Sequence, residues 1–141
     1  MTDDALEQAL RALRHRDRSA AEVDRHLEMR GVGEAERRSV LESLVRTGLV
    51  DDRRYAGTRA SSLADRGAGD AFIRHDLISA GVGAEVVEEA LLELPRESER
   101  AKVIVARRGA SARTGRYLAG KGFAEDVVRA VVAQSYDEAI G

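Results

Sequence analysis

The strongest chemical signal in this chain is a run of cations. Arg100, Lys102, Arg107, Arg108, Arg113, Arg116 and Lys121 follow one another with no acidic residue between the first and the last. Guanidinium and ammonium groups crowded in this way hold phosphate oxygens or the carboxylates of an acidic protein face, so the run is expected to contact DNA or an acidic surface. A second group, Arg11, Arg14, Arg16 and Arg18, crowds the end of a predicted helix. Cations there complement the helix macrodipole, but four exceed what capping needs. The segment Gly48-Leu-Val-Asp51-Asp52-Arg-Arg-Tyr55-Ala56 joins a Gly stop, an apolar link expected to be buried, two carboxylates and an aromatic ring. Either carboxylate can cap the helix that follows, which leaves the other for a neighbouring Arg.

Catalytic patterns are not found. With no Cys, the chain offers no thiolate nucleophile, disulfide or zinc thiolate. His15, His26 and His75 form no His-x-x-x-His pair, and solvated positions suit them better than metal ligation. Gly109 to Gly115 is spaced wrongly for a phosphate loop, lacks the Lys-Ser/Thr that follows one, and is preceded by no strand. Gly81-Val-Gly83 follows a helix and reads as helix punctuation, while Glu85, Glu88 and Glu89 are spaced like an exposed helical face. The expectation is a protein that is not an enzyme and carries neither cofactor nor metal.

The elements that position these residues come from an internal repeat. Leu27, Gly31 and Val32 recur as Leu77, Gly81 and Val82, and again as Leu118, Gly122 and Phe123. The spacing has a physical cause: a Gly one residue past the helix cap adopts the left-handed conformation, and the apolar residue after it packs on the Leu of the last turn. After each Gly comes another helical period, marked by Val40, Leu41, Leu44 and Val45, then Val86, Val87, Ala90, Leu91 and Leu94, then Val127, Val128, Val131 and Val132. A helix precedes each unit as well: Leu6, Ala9, Leu10 and Leu13; Tyr55, Ala56, Ala60 and Leu63; Ala101, Ile104 and Val105. The pattern predicts an all-α protein of three tandem three-helix repeats over 1–50, 51–95 and 96–141. Ser19 and Glu22 read as a capping box, Ser111 as a further cap, and Pro95 as a boundary. Units this small bury little core alone, so they are expected to stack into an elongated, curved molecule.

Composition refines the partner. The formal net charge is −2 over 141 residues, but the three repeats carry −1, −4 and +3, so near-neutrality conceals a basic last unit. The acidic opening Met1-Thr2-Asp3-Asp4 is unlike a signal peptide, and no apolar run suits a membrane. A soluble cytoplasmic monomer is expected.

Three motifs in register carry a family resemblance. Arg16-Asp-Arg18-Ser19 followed by Glu22, Leu27 and Gly31, then Asp51-Asp52-Arg-Arg-Tyr55-Ala56, then Arg66-Gly67 with Ile73, Leu77, Gly81 and Val82 resemble the RecX family of bacterial regulatory proteins. They span residue 6 to about residue 94, and the third repeat matches by pattern alone. The resemblance implies a modulator that binds the RecA recombinase filament and inhibits its extension, ATP hydrolysis and strand exchange in DNA recombination and repair, with the repeats lying along the filament groove. It marks Arg16, Arg18, Asp51, Asp52, Tyr55, Arg66 and Arg74 as partner-binding residues. The alternative is a self-sufficient nucleic-acid-binding module using the basic third repeat, and a weak direct DNA contact is compatible with both.

Overall fold

The structure is a computed structural model that describes residues 2–140, so Met1 of the acidic opening lies outside the described residues. Among them are nine α-helices and no strand. The first unit holds α1 (Thr2–Arg14), α2 (Ala20–Met29) and α3 (Glu34–Arg46); the second α4 (Asp52–Asp65), α5 (Asp70–Ser79) and α6 (Ala84–Leu92); the third α7 (Glu97–Arg108), α8 (Ala112–Gly120) and α9 (Glu125–Ile140).

The local chemistry ends each helix where the sequence signals it. At the start of α2 the Ser19 hydroxyl accepts from the Glu22 amide while the Glu22 carboxylate accepts from the Ser19 amide, the reciprocal capping box. Ser111 caps α8 through the Thr114 amide. The middle helices end alike: Val32, Val82 and Phe123 each donate a backbone N–H to the carbonyl of Leu27, Leu77 and Leu118. Gly31, Gly81 and Gly122 stand at positive φ, as that motif requires.

Each unit has its own core. Leu27 packs with Val23, Val40, Leu44 and Val50; Leu77 with Tyr55, Leu63, Ile73 and Val87; Leu118 with Val105, Phe123, Val128 and Val131. Burying one such Leu contributes about 1.5–3 kcal/mol. The apolar link is only half as expected, since Val50 is buried while Leu49 is half exposed. Val45, on the predicted apolar face of α3, is also exposed, because α3 meets α1 and α2 on one side and has nothing on the other.

Successive units meet through polar joints instead of a shared core. At the first joint the Ser19 hydroxyl donates to the Ala80 carbonyl at 2.5 Å and the Ala20 amide to the Asp52 carboxylate at 2.8 Å. At the second joint the Gly69 and Ala71 amides donate to the Lys121 and Gly122 carbonyls, and the Asp70 amide donates to the Glu97 carboxylate at 2.7 Å. The two joints have one design: a carboxylate at the first position of a following unit's opening helix accepts from the first amide of the preceding unit's middle helix. Helix N-termini leave such amides without partners inside the helix, and an anion there also meets the macrodipole favourably. The joined units expose 8817 Å², against roughly 7,100 Å² for a compact monomer of this mass, so the molecule is extended.

Candidate partner-binding surface

The arginines of this chain fall into two sets. In the first two units most are engaged internally: Arg37 with Asp24 at 2.9 Å, Arg54 with Asp17 at 3.1 Å, Arg59 with Asp76 at 2.9 Å and Arg74 with Glu88 at 2.8 Å. Two-pronged hydrogen bonding from Arg59 holds the Asp76 carboxyl below its ordinary value, against the opposing effect of burial. Arg74 lowers Glu88 in the same way.

The motif residues are largely spent on the fold. Asp51 caps α4 by accepting from the Arg54 amide, and Asp52, instead of pairing with a neighbouring Arg, caps α2 across the joint. Arg16 pairs with Glu22 at 3.2 Å, and Arg18 donates to the Ala12 carbonyl at 2.6 Å. Tyr55 is buried, and that burial raises its phenol above the usual range. Of the four arginines marked by the motifs, Arg66 alone is exposed and without an acidic partner among the described residues.

The basic run divides too. Arg100 lies low in the second joint, paired with Asp70 and donating to the Ala68 and Pro95 carbonyls at 2.9 and 3.0 Å. Its guanidinium also lies over Phe123, 5.9 Å from the ring centre. Lys102 pairs with Glu99 at 3.4 Å. Arg107, Arg108, Arg113 and Arg116 are exposed and Lys121 is half-buried. None of these five has an acid within ion-pair distance among the described residues. Arg108 lies over the Tyr117 ring at 3.7 Å from its centre, a cation–π contact that fixes the guanidinium without neutralising it.

The second joint also brings Arg66, the residue that caps the end of α4, to Arg107 and Arg108 of α7, around a cleft of about 530 Å³ whose walls include Ile104 and Tyr117. Sequence reasoning missed Tyr117 because nothing in its spacing says that α7 and α8 turn it beneath Arg108. Val103 also lines the cleft and is half exposed, as its place off the Ala101–Ile104–Val105 stripe could have suggested. Among the described residues no cluster of three or more His, Asp or Glu is placed to hold a metal, and no helix is long and apolar enough to cross a membrane.

Comparison with known proteins matches this architecture. A family model described as the first three-helix domain of RecX matches residues 5–44, and one for the second three-helix domain matches residues 51–91. The chain is 35% identical over 133 residues to a regulatory protein RecX from Leptothrix cholodnii, covering 88% of this chain and 84% of that one. It is 38% identical over 126 residues to a regulatory protein RecX from Thermus thermophilus, covering 87% and 86%. The crystal structure of RecX from Lactobacillus salivarius superposes with a TM-score of 0.82 over 94% of this chain and 95% of that one, at 18% identity, a likeness of fold.

Proposed function

This chain belongs to the RecX family of regulatory proteins, and from that premise we propose that it binds the RecA recombinase filament on DNA and inhibits its extension, ATP hydrolysis and strand exchange. The observation that carries the reading is the division of its cations. Arg66, Arg107 and Arg108 around the second-joint cleft, and Arg113, Arg116 and Lys121 of the same basic run, have no acid within ion-pair distance among the described residues, whereas Arg37, Arg54, Arg59 and Arg74 are neutralised by the fold. Unneutralised cations gathered in the basic run and at the cleft favour an anionic partner, and an extended chain of small units covers more partner surface than a compact domain of equal mass.

The protein acts by contact. Laid along a filament, it bridges neighbouring recombinase protomers and displaces contacts that extension or nucleotide turnover requires, with the basic third unit toward DNA or an acidic recombinase face. The units 1–50, 51–95 and 96–141 serve as its contact modules, and it acts as a cytoplasmic monomer. Adding the full chain to RecA on single-stranded DNA lowers ATPase and strand exchange; no effect at a dose equal to the recombinase overturns the reading.

Direct nucleic-acid binding is the second reading, favoured by the same free cations. It predicts tight binding to DNA without recombinase, falling steeply as salt rises because each neutralised phosphate releases counterions. Negligible binding at moderate salt leaves the recombinase-dependent reading standing alone.

A further inference from the structure

We propose that the cleft between the second and third units is a docking site for a linear acidic peptide segment of a partner protein, anchored by an apolar side chain. The inference rests on the regulatory reading above and gives that reading a specific contact.

Three features of the cleft define what it takes. Its volume, about 530 Å³, fits a few side chains and falls within the range of ligand-binding pockets. Its lining includes Arg66, Arg107 and Arg108, which have no acidic partner among the described residues, and the Arg108 guanidinium lies over the Tyr117 ring. A guanidinium fixed in this way loses little freedom on binding and presents a planar fork that matches a carboxylate. The wall is apolar: Val103 is half exposed and Ile104 half-buried. Exposed apolar surface beside free guanidinium groups calls for a ligand that supplies both an apolar group and negative charge.

Two observations favour a peptide over a nucleic-acid strand. Single-stranded nucleic acid is held by aromatic rings on which bases stack, yet Phe123 is buried with Arg100 over it, and Tyr117 already carries Arg108. Asp65 also lines the cleft. A continuous polyphosphate would be repelled there, whereas a peptide can place its carboxylates on the arginines and a neutral residue beside Asp65. The cleft is lined by residues of both the second and the third unit, the end of α4 and the following loop on one side and α7 and Tyr117 on the other, so neither unit forms it alone.

Fluorescence anisotropy with the full-length chain tests this. The probes are a short fluorescein-labelled peptide rich in Glu with two Leu, the same peptide with Ser for Leu, and a labelled oligothymidylate. The Leu-bearing peptide binds, and its affinity falls at least tenfold in R66Q/R107Q/R108Q and severalfold in Val103→Asp, with helical circular dichroism unchanged in both. Loss of the two Leu weakens it severalfold. No binding of the Leu-bearing peptide, equal binding of the Ser peptide, or oligothymidylate competing more strongly for the same arginines overturns the proposal. Recombinase inhibition separates the two readings: a wild-type chain that inhibits, with R66Q/R107Q/R108Q inhibiting equally, defeats the cleft and spares the regulator. A wild-type chain that does not inhibit defeats the regulator.

Discussion

Gly31 and Gly81 hold the same position in successive units and the same backbone conformation, at φ of +81° and +84°, yet they answer to different constraints. A Cβ on Gly31 meets nothing within 4 Å, whereas one on Gly81 would stand 2.3 Å from the Cβ of Ala21 across the first joint. Left-handed conformation costs a non-Gly residue roughly 1–2 kcal/mol. Gly31→Ala is therefore expected to lose about that much in urea unfolding, and Gly81→Ala distinctly more. Equal losses would mean that the joint yields freely. Ser19 is also doubly engaged, as cap and as donor to Ala80, so Ser19→Ala should cost about 2 kcal/mol, beyond the ~1 kcal/mol of an ordinary cap. Asp76 offers a test by pH. Its folded value is depressed by Arg59, so the pair's stabilisation is full above the ordinary carboxylate range and is lost as pH falls below about 4 through the folded value. Asp76→Asn should cost about 1 kcal/mol at neutral pH, a modest figure because both partners are partly exposed. The gap between variant and wild type should narrow at pH near 3; a gap that stays constant would assign the loss to packing.

At the scale of the element, the middle helix of each unit is a short amphipathic segment that buries one Leu in its last turn together with a second residue one turn earlier. Leu27, Leu77 and Leu118 are fully buried. Leu77→Ala is expected to cost roughly 2–5 kcal/mol as a core truncation with little room for relaxation, read from chemical denaturation. By contrast, α7 and α8 carry exposed cations that pack against nothing acidic, and exposed substitutions rarely cost more than about 0.5 kcal/mol each. Reversing the charge of Arg107, Arg108 and Arg113 together should therefore leave the helical signal intact while weakening recombinase inhibition. Unchanged inhibition by the folded variant would remove the basic run from the mechanism.

At the scale of the whole molecule, three separate cores joined by hydrogen bonds make stability a sum of units and joints, not one cooperative block. The joints carry hydroxyl, amide and carboxylate contacts between three separate cores, so a unit is expected to open with modest effect on its neighbour's core. Native-state hydrogen exchange on the full chain should resolve distinct opening energies for the amides of the three units, and Leu77→Ala should lower protection most within α4, α5 and α6. A uniform loss over all nine helices would indicate one cooperative core.

The amino-acid order by itself determined the helices, their ends and their grouping, because these depend on local contacts: Leu27 to Val32, Ser19 to Glu22 and their counterparts act within a few residues of one another. The three motifs that identify the family were legible for the same reason. What those motif residues do was decided by tertiary structure. One of Asp51 and Asp52 is surplus to capping in the sequence, and nothing there singles out Glu97, yet Asp52 and Glu97 become caps for helices of the preceding unit; Arg100 belongs to the basic run by position and to the joint by burial. Which cations stay free, and that Arg66 meets Arg107 and Arg108 around one cleft, depends on where distant carboxylates and helices come to rest. Charge can be counted along a chain, but its neutralisation is a matter of distance in space.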